Sequence, residues 1–154
     1  SDRAAAWFVR QQQLTFANPD GDSLLQKGPY LPAYEMVVNA RLVSGTGYGL
    51  APAQTVSGAG PLLTVEKVSS TWAVRAQVND TMQLFPLPAD FDPAVYQQFR
   101  LRKENGRLTL SWEQHEIATL PVTTEPTCVG LYGRRATAVF DMVRVTAVSE
   151  NTRS

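Results

Sequence analysis

Short segments in which large apolar and polar side chains alternate with a period of two constrain this chain more than any other feature. In residues 34–42 most aromatic and aliphatic side chains occupy even positions, and the polar side chains of Glu35, Asn39 and Arg41 occupy odd positions. Residues 71–78 repeat the pattern, with Arg75 and Gln77 on the polar face. Since successive side chains of a strand point to opposite faces, each segment predicts a β-strand that is buried on one side. Ten glycines and ten prolines separate such segments, which predicts an all-β sandwich or barrel.

Turn signals between these segments place about ten strands along the chain. The sharpest signal is Asn105-Gly106, because these residue types tolerate the positive φ of a tight hairpin between residues 99–103 and 107–112. The further predicted strands are Gln13–Phe16, Leu24–Gln26, Gly47–Gln54, Leu62–Val68, Met82–Leu84, Cys128–Tyr132 and Ala138–Val145.

One segment is open to a second interpretation. Asp92-Pro93 can start a helix, in which Asp caps the first turn and Pro occupies the first helical position. The return of strand alternation at Phe99 disfavours that helix. The favoured architecture is therefore two stacked antiparallel sheets in a single domain, residues 1–148, followed by a polar tail at residues 149–154.

Charge and residue counts exclude several classes of function. Lys+Arg and Asp+Glu number 14 each, so the net charge is zero and neither a nucleic-acid partner nor a membrane anchor is expected. No apolar run approaches the roughly 18 residues of a membrane span. The single cysteine, Cys128, excludes an internal disulfide, and the single histidine, His115, excludes a His-rich metal site. We expect Cys128 to be a buried apolar residue and His115 to lie in an exposed turn.

Several segments, in their order along the chain, resemble the concanavalin A-like lectin/glucanase superfamily. These segments are residues 24–30, residues 34–42, Gly47-Tyr48-Gly49, Ser111-Trp112-Glu113 at the end of a hairpin strand, and a closing Phe140-Asp141-Met142-Val143-Arg144-Val145. The chain is most similar to the laminin-G-like and carbohydrate-binding modules that are appended to bacterial glycoside hydrolases. The resemblance implies a jelly-roll β-sandwich, a polysaccharide or oligosaccharide ligand, a covalently linked catalytic domain and a secreted location. The chain begins at Ser1-Asp2 without a targeting signal, so the secreted location rests on the resemblance alone.

Two departures from the superfamily argue against catalysis. Its glucan hydrolases resemble one another in a strand that carries two glutamates and an aspartate at alternate positions, whereas the nearest pair here, Glu113 and Glu116, is three apart. Retaining hydrolysis requires two carboxyls about 5 to 5.5 Å apart. The related 3-keto-disaccharide hydrolases usually carry an Asn-Ser-Gly strand where residues 45–49 stand. We therefore expect no catalytic residues.

Sugar binding requires aromatic faces for the apolar C–H patches of the ring and planar polar groups for adjacent hydroxyls. The candidates with planar polar side chains lie on the polar faces of strands. Tyr48, Tyr132 and Arg135 are candidates for the rim of a site. The predicted sugar-binding residues are Asn39, Arg41, Tyr48, Gln54, Arg75, Gln77, Tyr132 and Arg135. The alternative is that these polar faces are only solvated.

A structural calcium ion is a further hypothesis, although no cofactor is required. Asp20 and Asp22 flank Gly21, as acidic residues do in calcium loops, and the segment equally suits an Asx turn. Jelly-roll modules that resemble this chain often hold calcium between their first and last strands, which adds Asp141 as a third ligand.

The sequence therefore predicts a non-catalytic carbohydrate-binding module that targets a linked glycoside hydrolase to polysaccharide. Two alternatives stay open: a structural domain packed against a catalytic domain, and a 3-keto-sugar-processing hydrolase or lyase of the same fold. An exposed apolar patch would favour the structural domain.

Overall fold

A computed structural model describes residues 7–10, 13–55, 60–78 and 81–148, with side chains described except at 7–13, 16, 18–29, 52–54 and 142. Its strands are β1 (Trp7–Arg10), β2 (Gln13–Leu31), β3 (Tyr34–Gln54), β4 (Leu62–Val68), β5 (Thr71–Val78), β6 (Thr81–Pro86), β7 (Gln97–Glu104), β8 (Arg107–Trp112), β9 (His115–Pro121) and β10 (Thr127–Ala147). The all-β jelly-roll prediction is confirmed. Among the residues described there is no helix long and apolar enough to cross a membrane.

Three long neighbouring strands organise the fold. β2, β10 and β3 lie side by side in that order, and they span 19, 21 and 21 residues. Each unites two strands that the sequence analysis predicts separately. The interruption between the two halves of β3 is Gly45, at a φ of 103°, which lies opposite Ala136 of β10. A Cβ at Gly45 would collide with the carbonyl oxygen of Arg135, so a side chain is excluded where the paired strands are distorted.

Each half of β3 has a different neighbour, and this produces the two layers. Residues 34–40 pair with β7, which continues through β8 to β9; we call this half sheet A. Residues 47–50 pair with β4, which continues through β5 to β6; we call this half sheet B. β10 pairs with β3 along both halves, so the sheets share their central strands.

The core lies between the two sheets and is formed by the even positions of β3, as the alternation predicts. Tyr34 and Met36 are fully buried in sheet A, and Tyr48 is 1% exposed in sheet B. The Tyr48 ring meets the Phe99 ring of β7 edge-on, with centroids 6.3 Å apart. Phe91, from the loop before β7, contacts Phe99. It also contacts Trp72 of sheet B and Trp112 of sheet A. These aromatic contacts join sheet A to sheet B.

Local predictions fared unevenly. The Asn105-Gly106 hairpin is confirmed, with φ values of 55° and 76°. The helix alternative at Asp92 is wrong, because its Oδ1 accepts the Ala94 N–H at 3.0 Å in a turn that no helix continues. The sequence analysis missed β9, which starts at His115 directly after a two-residue turn. Cys128 is buried, 3% exposed, as predicted.

Candidate functional site

The outer face of sheet B contains a glycine floor. Gly47 and Gly49 of β3 pair with Glu66 and Thr64 of β4, and both glycines are buried. A Cβ at Gly47 would collide with the carbonyl oxygen of Val65 in the neighbouring strand. β3 and β4 therefore approach more closely than two strands with side chains could, and no side chain rises above β3 at this point.

Two arginines converge on one glutamate above this floor. Glu66 Oε2 accepts a hydrogen bond from Arg75 Nη1 of β5 at 3.1 Å, and Glu66 Oε1 accepts one from Arg134 Nη1 of β10 at 3.0 Å. Arg134 lies directly opposite Gly47, which in turn lies opposite Glu66. Because Gly47 has no side chain, Arg134 reaches across the whole width of β3. We call Glu66, Arg75 and Arg134 the arginine–glutamate cluster.

The cluster combines a buried anion with two accessible cations. The Glu66 side chain is 8% exposed, whereas those of Arg75 and Arg134 are 31% and 34% exposed. Each guanidinium group keeps donors that Glu66 does not use, although the Nε of Arg75 is buried and so is not one that a ligand can reach. Guanidinium donors in fixed orientations suit adjacent hydroxyls or a carboxylate of a ligand, and their ion pairs limit the entropy lost on binding.

Three predicted sugar-binding residues adjoin the cluster or belong to it. Arg75 is a member, Gln77 is exposed two positions further along β5, and the half-buried Tyr132 lies opposite Gly49 on β10. The sequence analysis missed Glu66 and Arg134. Glu66 occupies the polar phase of the β4 alternation, which was a usable signal. The pairing that brings it to Arg134, 68 positions away, was not readable without the strand register.

Tyr48 is a correction, because it was predicted at the rim and lies in the core. It occupies an even position of β3, as the core residues of sheet A do, so the alternation contained the right answer and the flanking glycines obscured it. Burial raises the pKa of its hydroxyl, which has no hydrogen-bond partner.

Asn39 and Arg41 lie on the outer face of sheet A and not beside Arg75. Asn39 Oδ1 accepts a hydrogen bond from Gln98 Nε2 at 3.3 Å, and the Arg41 guanidinium lies 5.5 Å from the centre of the Tyr96 ring. The structure therefore does not bring these two candidates together with Arg75, because the two halves of β3 present different outer faces.

The remaining two sugar-binding candidates are Arg135, which directly follows Arg134, and Gln54. Arg135 is exposed at the distortion of β10, with a φ of 44°. The backbone of Gln54 ends β3 opposite Cys128, and its side chain lies outside the described residues.

The strand register separates the backbones of two of the three proposed calcium ligands. The side chains of Asp20 and Asp22 lie outside the described residues, but β2 places Asp22 opposite Arg134, while Asp141 lies opposite Asn39. Seven positions of β10 separate those pairings, which is about 20 Å along a strand. A single ion shared by Asp141 and Asp22 is therefore excluded by the register. In the described part of the chain, no three acidic, cysteine or histidine side chains form a metal cluster.

Comparison with known proteins identifies the fold. No family model matches the chain, and no curated protein matches it. The structure is similar to the carbohydrate-binding module CBM66 from Bacillus subtilis, with a TM-score of 0.72 and 16% identity over 92% of this chain and 91% of that one. It is also similar to alginate lyase AlgAT5 of polysaccharide lyase family 7 (TM-score 0.64, 8% identity, 91% and 81% covered). A toad ovary galectin in complex with thio-digalactose gives a TM-score of 0.58 at 8% identity, with 82% and 98% covered.

This chain therefore has a jelly-roll β-sandwich fold of the concanavalin A-like type. The proteins that share the fold here include sugar-binding modules and lectins as well as enzymes that act on polysaccharides.

Proposed function

We propose that this protein is a non-catalytic carbohydrate-binding module whose site is the arginine–glutamate cluster on sheet B. The observation that carries the proposal is the pair of hydrogen bonds by which buried Glu66 holds Arg75 and Arg134 over the glycine floor. Two oriented guanidinium groups can donate to neighbouring ring hydroxyls, and the amide of Gln77 extends the row of planar donors along β5. The fold shared with a carbohydrate-binding module and a galectin supports the same conclusion.

In this proposal the module acts by targeting. Weak binding to a multivalent polysaccharide raises the effective concentration of a covalently linked glycoside hydrolase at its substrate. The linked hydrolase and a secreted location are parts of the proposal that rest on the resemblance described above. Calcium is not needed for it.

The positions of Glu66, Glu113 and Glu116 favour binding over catalysis. Both Glu66 oxygens already accept hydrogen bonds from arginine, which occupies them in a structural role. Glu113 lies in the turn between β8 and β9, whereas Glu116 lies in β9 and accepts the Thr119 hydroxyl at 2.8 Å. Neither glutamate lies on the outer face of sheet B.

The test is an affinity-gel screen of the 154-residue chain against plant, fungal and bacterial polysaccharides, with and without calcium chelation. Arg75→Ala is expected to weaken binding about tenfold, which corresponds to about 1.4 kcal/mol. The matched control is Arg102→Ala, since Arg102 is an ion-paired arginine on the outer face of sheet A. Retention of full affinity by Arg75→Ala, or an equal loss in both variants, would contradict the proposed site.

One observation favours the structural-domain alternative. Met82 and Leu84 of strand β6 are 46% and 43% exposed, beside Gln77 and Arg75. A domain interface here would cover the cluster itself. Absence of binding to every polysaccharide in the screen, with a folded protein, would favour this alternative, and the 3-keto-sugar hydrolase would be assayed next.

A further inference from the structure

A polar cleft lies on the outer face of sheet A, away from the arginine–glutamate cluster. It has a volume of about 300 Å³ and is lined by Gln98, Arg100, Ser111, Glu113 and Gln114. Ligand pockets begin at about 300 Å³, so the cleft suits a ligand no larger than one sugar residue. Nothing in the proposed function uses these side chains.

The strands and one turn build this cleft. Arg100 of β7 lies directly opposite Ser111 of β8, and the turn that follows β8 supplies Glu113 and Gln114. Both turn residues have positive φ values, 50° and 76°. The Glu113 N–H donates to the Gln98 carbonyl oxygen at 3.4 Å, which fastens the turn to β7.

Partners behind the cleft orient two of its side chains. Arg100 Nη1 donates to Glu35 Oε2 at 3.3 Å. Gln98 Nε2 donates to Asn39 Oδ1 at 3.3 Å, which leaves the side-chain Oε1 of Gln98 as an acceptor. Asn39, predicted as a sugar-binding residue, therefore supports this cleft from behind through Gln98.

The chemistry of the lining selects the ligand class. Two amides, a hydroxyl, a guanidinium and a carboxylate provide both donors and acceptors, and the charges of Arg100 and Glu113 cancel. A phosphate or sulfate would face Glu113, and a purely apolar ligand would leave the charged and polar groups of the lining without partners. A neutral ring that carries several hydroxyls matches the mixture of donors and acceptors, and it would bind through these hydroxyls, because none of the five lining residues is aromatic.

We propose that this cleft is a second saccharide site that binds one neutral hexopyranose residue. This site is independent of the cluster on sheet B, because the two sites share no residue and lie beside different halves of β3. With both sites occupied the module is bivalent, and a single domain bridges two saccharide segments.

The test is a site-resolved NMR titration of the ¹⁵N-labelled 154-residue chain with methyl glycosides of glucose, galactose and mannose at millimolar concentrations. At least one glycoside is expected to shift the side-chain amide signals of Gln98 and Gln114 in a saturable manner. The Arg75→Ala variant is expected to give the same shifts, which separates this site from the cluster.

Two variants test the cleft itself. Ser111→Trp fills it, and Gln114→Gly removes one wall while keeping a backbone conformation that suits glycine. Each variant is expected to abolish or weaken the shifts at least fivefold while the core signals stay native. The proposal is overturned if none of the three glycosides perturbs the Gln98 amide, or if Gln114→Gly binds as the wild type does. Loss of the shifts in Arg75→Ala would also overturn it, because the cleft would then not be independent.

Discussion

The two outer faces of the molecule each carry an arginine–glutamate–arginine arrangement, and the two differ in depth. On sheet B, Glu66 contacts its arginines at 3.1 and 3.0 Å with 8% of its side chain exposed. On sheet A, Glu35 contacts Arg100 and Arg102 at 3.3 and 3.5 Å with 26% exposed. The same residue types therefore form a tight, buried cluster on one face and a loose, solvated one on the other.

The backbone explains this difference. Both arginines of Glu35 come from one neighbouring strand, β7, where they stand two positions apart and project into solvent. The arginines of Glu66 come from β5 and β10, and they close over a strand that has no side chains in between. Glycines in one half of β3 thus convert an ordinary surface ion pair into an oriented group, since desolvation strengthens the pairing and fixes its geometry.

Filling the glycine floor should produce the largest effect. Gly47→Ala is expected to lower the free energy of unfolding by about 3 kcal/mol, because the new methyl group overlaps a backbone atom that cannot rotate away. Urea denaturation measures the loss. The control is Ser44→Ala on the exposed part of the same strand, which should change stability by less than about 0.5 kcal/mol. Equal stability of the two variants would contradict the close approach of β3 and β4.

Removing the central carboxylate should cost more stability in the cluster on sheet B than in the arrangement on sheet A. Glu66→Gln is expected to cost about 2 kcal/mol of stability, below the value for fully buried pairs because its arginines are one-third exposed. The matched Glu35→Gln variant should cost about 0.5 kcal/mol. Both values come from urea midpoints. A larger loss in Glu35→Gln would reverse the comparison.

Salt should affect the two glutamate variants differently. At about 1 M ionic strength the screening length is near 3 Å, so the contribution of the exposed Glu35 should fall to about zero. The contribution of Glu66 should persist, since solvent ions do not reach a side chain with 8% exposure. Repeating the denaturation series in sodium chloride provides the measurement. Parallel salt dependence in both variants would indicate that Glu66 is solvated.

A substitution of Tyr48, on the core side of sheet B, should give the smallest change in stability at neutral pH. Burial raises the pKa of Tyr48 above its ordinary value of 10.0, so above that pH the unfolded chain releases a proton that the folded chain keeps. Stability is therefore fully present below about pH 10 and declines as the pH rises further.

Tyr48→Phe is expected to change stability by less than about 1 kcal/mol at pH 7, because the hydroxyl has no partner, and to reduce the alkaline loss. Denaturation curves at pH 7 and above pH 10 test both statements. Tyr34→Phe serves as a parallel variant, since burial and, to a smaller extent, Cys128 raise the pKa of Tyr34 in the same direction. An unchanged alkaline loss in both variants would contradict the assignment.

The sequence predicted which face of its strand most site residues occupy. It did not predict which residues of different strands lie together. The alternation correctly predicted that Arg75 and Gln77 point outward, and Glu66 occupies an outward position of the same pattern. No local pattern linked Glu66 to Arg134. Tyr48 was assigned to the rim because it lies in a glycine-rich strand start, whereas those glycines form the floor of the outer face and Tyr48 is buried in the core. Asn39 lies away from Arg75 because the two halves of β3, on either side of Gly45, have different neighbours, and this separation was not visible in the sequence.

The sequence by itself determined the all-β class, the inward and outward faces of the strands and the tight hairpin at Asn105-Gly106. These depend on side-chain alternation and turn chemistry, which act over a few residues. Only the tertiary structure decided that β2, β3 and β10 each run through both sheets, and that Glu66 meets Arg75 and Arg134. Strand register depends on pairings between distant segments, and the free energy that selects it comes from the shared core and not from any one strand.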